Sequence, residues 1–362
     1  MKVLHVAETT IGGIASHLAE ILPLQIEALG KGNVALLMPE NEREHIAPFD
    51  GLALEYFRSD ARRLRSAWTL SREMVRFGDT YRPDVVHAHS SFGGLAARLF
   101  GGAKGTPTIY CPHGWSFTQD ISEWKKHIYG LVERAQLYQT SFVVNVSHYE
   151  RKVALDYGLP DTLKLAVIEN GIAASPPVSE QAQIVIDPDR INLAFIGRSG
   201  RPKGLDILLD AARQLEDEPI AFHLVGPSLE HDAPVLGDLP KNVIVYGWQP
   251  REFALAMLEK VDALVMPSRW EGLPMVGIEA MRASKPVIAS KRSALPELVE
   301  DMVTGLLVDI DQPGSLASTL RGLSKTQLQR MGIAGRKVFE RKYVAEKQIR
   351  KFLTLYERSM AA

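Results

Sequence analysis

Two glutamates, Glu271 and Glu279, stand eight positions apart around the stretch GLPMVGI. Upstream, Arg198 and Lys203 stand five positions apart in GRSGRPKG. These residue types could share one piece of chemistry. Two cations beside a helix start make a diphosphate site, because arginine presents a planar fork, lysine a point charge, and the helix N–H groups face an anion. A carboxylate about one turn inside a helix is favoured ionised by the helix N-terminus and can accept two hydroxyls, which fits Glu279. Pro274 suits the first helical position, where its missing N–H costs nothing. That placement leaves the N–H groups of Leu273 and Met275 to meet phosphate. On spacing alone two other readings stay open: an acid/base couple of a glycoside hydrolase, or simply a helix with acidic residues in its first turns.

Other candidates also follow apolar, β-rich runs. Gly12 and Gly13 end the turn after KVLHVAE, where glycines let the backbone approach a ligand closely and a helix N-terminus favours an anion. The spacing is not that of a dinucleotide fingerprint, since GxGxxG is absent. His113 and Gly114 follow PTIYCP directly, so His113 can hydrogen-bond a substrate or serve the structure. His87 and His89 share one face of a strand. With no third ligand apparent, core or substrate contact is expected of them rather than metal.

The elements that must position these residues alternate from end to end. Twelve short runs read as strands, from 2–8 to 305–308, separated by helical stretches. Runs apolar on both faces suit parallel strands covered by helices, and the alternation predicts two doubly wound α/β halves. Ligands of such sheets bind outside the carboxyl ends of the strands. The proline-rich, aperiodic stretch 173–190 reads as a linker between a domain at 1–172 and another at 191–342. The tail from 338 to 360 reads as helical, and its part from about 343 to 362 is expected to pack back on the first domain. A net charge of −1 gives no nucleic-acid signal, and the single cysteine, Cys111, fits a reducing compartment. MKVLHVAE reads as a strand rather than a signal peptide, and no apolar run approaches the roughly 20 residues of a membrane span. A cytoplasmic location is the expectation.

Taken together, E-x7-E, GRSGRPKG, LVGPS, YGW and LPELVEDMVTGLLV, in that family's order, resemble the retaining, nucleotide-sugar-dependent glycosyltransferases of family 4. The first half matches more loosely, through the Gly12-Gly13 turn, DVVHAHS, PHG, VSHYERKVALDYGL and VIENGI. One departure is Ser293-Ala294-Leu295, where the family often has a glycine-rich loop. The resemblance implies the GT-B architecture, two Rossmann-like domains facing a cleft. It implies that Arg198 and Lys203 hold the donor diphosphate, with Gly12, Gly13 and the amides of Leu273 and Met275. Glu279 would bind the ribose. Glu271, Gly272, Leu273 and His113 would face the transferred sugar. Gly226, Pro227 and Trp248 would seat the nucleobase, although Trp248 reads equally as a cap on the core. It implies retention without a protein nucleophile and without a metal, since cations replace one. The Asp-x-Asp strings at 187–189 and 309–311 are the metal signature of another glycosyltransferase architecture and arise easily by chance.

The acceptor side is read from two basic segments. Residues 58–77 include Arg62, Arg63, Arg65 and Trp68, and residues 122–138 include Lys125 and Lys126. A basic amphipathic helix suits anionic lipid. The expectation is a UDP-sugar donor, with GDP-mannose as the alternative, and a glycan or polyprenyl-diphosphate-linked acceptor at the inner face of the cytoplasmic membrane, in bacterial-type polysaccharide synthesis. A sugar-nucleotide epimerase of similar build and a Rossmann-type dehydrogenase are the rival activities.

Overall fold

The structure is a computed structural model that describes all residues except 47, 60–62, 177–183, 228–237 and 362. The chain divides into two compact units. Unit 1 comprises Met1–Ile172 with Ala345–Ala362, and unit 2 comprises Ala173–Val344.

Unit 1 is built on a parallel sheet of seven strands: β1 (Val3–Ala7), β2 (Val34–Pro39), β3 (Leu52–Phe57), β4 (Val85–His89), β5 (Thr108–Cys111), β6 (Phe142–Asn145) and β7 (Leu165–Val167). Their order is β3-β2-β1-β4-β5-β6-β7. Helices α1 (Gly13–Leu29), α2 (Arg63–Tyr81), α3 (Ser91–Lys104), α4 (Glu123–Gln136) and α5 (His148–Asp156) connect the strands. Strands β1, β2, β4, β5 and β6 are buried along their whole length, which is why both faces of their sequences are apolar. Edge strand β3 escaped the sequence reading for the complementary reason. It is mostly half-buried, and Glu55 and Tyr56 interrupt its apolar run.

Unit 2 repeats the plan with six strands: β8 (Ile191–Ile196), β9 (Ile220–Val225), β10 (Val243–Gly247), β11 (Ala263–Met266), β12 (Val287–Ser290) and β13 (Gly305–Val308). Their order is β10-β9-β8-β11-β12-β13. The helices are α6 (Leu205–Gln214), α7 (Arg251–Lys260), α8 (Met275–Arg282), α9 (Leu295–Leu298), α10 (Ser315–Arg321) and α11 (Lys325–Lys342). The strand order reverses between β1 and β4 in unit 1 and between β8 and β11 in unit 2. Doubly wound sheets bind ligands at such switch points.

The tail is two helices rather than one. Tyr343 leaves the helical region (φ −113°, ψ 22°), is buried, and donates its hydroxyl to the Glu297 carbonyl within unit 2. Helix α12 (Ala345–Met360) then belongs to unit 1. Its Ala345 N–H reaches the Ile172 carbonyl at 2.9 Å, and Gln348 Oε1 accepts from Gly171 N–H at 3.1 Å. Ile349, Phe352, Leu355 and Tyr356 bury its apolar side. A second tie lies under α4. Arg98 and Glu133, both buried, pair at 2.6 Å, with the guanidinium 4.1 Å over the Tyr110 ring. Both charges are compensated, as burial requires.

Candidate functional site

In unit 2, the loops after β8 and β11 carry the predicted residues, so Arg198 and Glu271 follow the two strands at the switch point. Glycines make the close approaches possible. Gly204 caps α6 in the left-handed region (φ 69°), and a Cβ there would lie 2.0 Å from the Pro267 carbonyl oxygen. Gly226 has φ 116°, and its Cβ would lie 2.2 Å from the Gly197 carbonyl oxygen. Only glycine meets both demands, positive φ and no side chain.

Polar contacts staple the two loops together. Arg269 N–H donates to the Pro202 carbonyl at 2.7 Å, and the Arg269 guanidinium grips Asp206 in a fork at 2.8 and 2.6 Å. That fork holds the Asp206 carboxyl below the usual range. Inside this frame Lys203 Nζ donates to Glu271 Oε1 at 2.7 Å, and Ser268 Oγ donates to the same oxygen at 2.8 Å. Arg198 is exposed and stands outside that contact.

Glu279 is 6% exposed on α8, and its Oε1 accepts from Arg251 Nε at 3.1 Å and from a second Arg251 nitrogen at 2.7 Å. Both bonds fall on one oxygen, so the pair neutralises the buried charge and leaves both lone pairs of Oε2 for other donors. Arg251 was missed in the sequence because its partner lies twenty-eight positions away. Its only local signal is its place just after the β10 loop.

Three expectations change in unit 2. Pro274 is the N-cap of α8 (φ −73°, ψ 126°) rather than its first helical residue. Helix geometry therefore leaves the Val276 N–H, beside that of Met275, without an intrahelical acceptor. Trp248 is 63% exposed, so it does not cap the core. Pro227 is buried beside half-buried Gly226.

In unit 1, Gly12 precedes α1 with φ 66° and ψ −128°, a conformation that only glycine adopts at low cost. A Cβ on Gly12 or Gly13 would meet nothing within 4 Å. Thr9 Oγ1 and the Thr10 N–H bind the Glu42 carboxylate, which anchors the turn. His113 is half-buried and sits in the left-handed region at φ 50°. Its Nε2 lies 2.9 Å from His89 Nδ1.

The view that His87 and His89 lack a third ligand is corrected. His5, on the adjacent strand in register with His87, gathers with them, as His17 does with His89 and His113. Each trio brings nitrogen atoms within 4.8 Å of one another, close enough to hold a metal ion. The sequence hid this because β1 and β4 are neighbours in space and eighty-two positions apart in the chain.

The basic segments divide differently. Arg62 lies outside the described residues, and Arg63 opens α2. Arg65 is exposed, and Trp68 is exposed beneath the Arg72 guanidinium, 4.9 Å from its ring centre. The buried side of α2 is carried by Leu70 and Met74, so Trp68 and Val75 do not belong to it. On α4, Lys126 pairs with Glu123 at 2.8 Å and Lys125 lies 5.5 Å over the Trp124 ring. Trp124, Ile128, Leu131 and Val132 are all exposed on that helix.

Comparison with known proteins bears on these arrangements. Residues 190–326 match the family model "Glycosyl transferases group 1", and residues 12–171 match "Glycosyl transferase 4-like domain". An "Uncharacterized 41.2 kDa protein in cps region" of Klebsiella pneumoniae is 30% identical over 334 residues, 88% of this chain and 89% of its own. A UDP-Gal:alpha-D-GlcNAc-diphosphoundecaprenol alpha-1,3-galactosyltransferase of Escherichia coli is 24% identical over 254 residues, 66% of this chain and 65% of its own. The structure of Anabaena HepE with UDP and glucose has a TM-score of 0.78 at 16% identity, covering 98% of both chains. Its identity is too low to speak for more than the fold, two parallel-sheet Rossmann-like domains of the GT-B class. The family models and the Klebsiella relative speak for descent: this chain belongs to the family 4 glycosyltransferases.

Proposed function

We propose that this glycosyltransferase moves a hexose from a UDP-sugar to a hydroxyl of a glycan or polyprenyl-diphosphate-linked glycan, with retention and without a metal, in polysaccharide synthesis. The observation that carries the reading is the pairing of Lys203 with Glu271 and of Arg251 with Glu279, at the carboxyl end of β11 and in the helix that follows it. A site so arranged has cations for a diphosphate, a buried carboxylate for two ribose hydroxyls, and a second carboxylate for sugar hydroxyls. Lys203 exchanges Glu271 for the donor phosphate on binding, and Glu271 is then free to accept from the sugar. Arg198 and the Met275 and Val276 N–H groups add donors for the diphosphate. By the family correspondence, His113 contacts the sugar and the Gly12-Gly13 turn the donor phosphate.

In the reaction the bond from the anomeric carbon to the diphosphate breaks, and the diphosphate keeps the electron pair. The acceptor oxygen bonds to the same face, and its proton passes to the leaving phosphate oxygen. The protein's task is electrostatic, to stabilise charge growing on the diphosphate. Lys203 and Arg198 supply what a metal would otherwise supply.

The UDP preference and the lipid-linked acceptor both draw support from the E. coli relative, which is named for UDP-Gal and a diphosphoundecaprenol-linked acceptor. Binding raises stability by RT ln(1+[L]/Kd), so a thermal-shift panel with UDP, GDP and their sugars identifies the donor. UDP and a UDP-sugar are expected to raise Tm, and a rise with GDP alone overturns the assignment. Product turnover that needs no acceptor would instead favour the epimerase.

The exposed apolar residues of α4, beside Lys125, suit a lipid surface. Liposomes containing anionic lipid are expected to float the protein at physiological salt, and replacement of Trp124 and Leu131 by serine to abolish it. An unbound wild type would refute the membrane contact.

A further inference from the structure

Unit 1 holds a buried chain of side chains that starts at His113 and has a direction. His113 Nε2 lies 2.9 Å from His89 Nδ1, and His89 Nε2 lies 3.0 Å from His5 Nδ1. His5 Nε2 lies 2.6 Å from Gln25 Oε1. Gln25 Nε2 donates to the Tyr356 hydroxyl at 2.9 Å, and that hydroxyl lies 2.8 Å from His87 Nδ1. His5, His87, His89 and Gln25 are completely buried, and Tyr356 is equally so. Burial lowers the pKa of His5 and His113 to about 4, and those of His87 and His89 well below the usual value, so each ring carries one proton.

One proton per ring makes the chain directional. The Gln25 oxygen can only accept, so His5 carries its proton on Nε2 and its Nδ1 is bare. His89 must then donate from Nε2, which leaves its Nδ1 bare. His113 must in turn donate from Nε2. At the other end, Gln25 donates to the Tyr356 oxygen, which leaves the Tyr356 hydroxyl proton available to His87 Nδ1. Turning the Gln25 amide over would reverse every bond. Oε1 faces His5 and Nε2 faces Tyr356, and the separations favour that sense. A separation of 2.6 Å is below the usual N–H···O range and shorter still for a nitrogen-to-nitrogen contact, whereas 2.9 Å suits an amide N–H on a hydroxyl.

A metal shared by His5, His87 and His89 would use the same atoms otherwise. Its ligands would need bare nitrogens at both His5 Nδ1 and His89 Nε2. Tetrahedral ligands at zinc–nitrogen lengths of about 2.0–2.1 Å sit roughly 3.3 Å apart. The observed 3.0 Å is a hydrogen-bond length.

We propose that the Gln25 amide, acting through His5 and His89, holds His113 as the Nε2–H tautomer with a bare Nδ1, so that His113 meets a sugar hydroxyl as an acceptor. Gln25, His5 and His89 are positioning residues, and Tyr356 ties α12 into the same chain. His17 packs edge-on to His113, ring centres 4.7 Å apart, and helps fix its plane. The tautomer rests on the hydrogen-bond geometry of neutral rings, and only its use on a sugar rests on the function proposed above.

The test is a two-bond 1H–15N correlation spectrum of the labelled full chain, with assignments from His113→Asn and His89→Asn. His5, His89 and His113 are expected to be Nε2-protonated. A proton on Nδ1 of His113 or His89, which a reversed chain or a bound metal would both require, overturns the proposal. Gln25→Met is expected to mix the His113 tautomers and lower kcat about tenfold at unchanged nucleotide affinity. Gln25→Glu, whose protonated carboxyl copies the amide, restores both. A uniform Nε2–H His113 in Gln25→Met also overturns the role of Gln25. Should Gln25→Met not fold, the wild-type spectrum decides. Correct tautomers without any glycosyl transfer would count against the proposed function and leave the tautomer assignment standing.

Discussion

Lys203→Ala is expected to lower kcat by roughly 10²–10³-fold, the range for removing one preorganised charge-stabilising donor from a reacting oxyanion. The short helix before Gly204 delivers Lys203 to the end of β11, and the Arg269–Asp206 fork holds the two loops in register. An ammonium so held needs little reorganisation when charge grows on the leaving diphosphate. Its attraction to the transition state exceeds that to the ground state, so kcat falls more than KM rises. The loss is chemical rather than structural, because Lys203 keeps a quarter of its side-chain surface in solvent and Ser268 still serves Glu271. Steady-state kinetics with a nucleotide sugar, beside an unchanged melting curve, check this. Near wild-type turnover would remove Lys203 from the diphosphate.

Glu279→Gln is expected to act on binding. A hydroxyl donated to a carboxylate contributes about 1.5–3 kcal/mol, and an amide keeps only a neutral bond. With two ribose hydroxyls served by a nearly buried carboxylate, affinity for the nucleotide should fall roughly 10- to 100-fold. The change leaves the Arg251 guanidinium without its carboxylate, a cost limited because Arg251 keeps 26% of its side-chain surface in solvent and the amide oxygen can still accept from it. The fall should appear in kcat/KM, with kcat at saturating donor changed much less.

The sequence disclosed what runs in one dimension. Continuous apolar runs marked the covered strands, so Arg198, Lys203 and Glu271 could be placed in the loops past them and Glu279 in the helix that follows, while the roles assigned to them came from the family resemblance. What stayed hidden depends on neighbours in space. Arg251 meets Glu279 only because α7 lies beside α8. His5 joins His87 and His89 only because β1 pairs with β4. Tyr356 reaches Gln25 only because α12 returns to unit 1. Edge strand β3 failed the two-faced apolar criterion that its inner neighbours satisfy. Trp248, evenly poised between core and ligand in the sequence, is removed from the core by its exposure.

The central claim is that the two glutamates hold a nucleotide sugar and are not an acid/base couple. Calorimetric titration of UDP into the wild type and into Glu279→Gln separates the two most directly. The account predicts UDP binding by the wild type and a dissociation constant roughly 10- to 100-fold higher in the variant. Equal UDP affinity in both proteins, with turnover lost in Glu279→Gln, would contradict it and return the pair to acid/base chemistry.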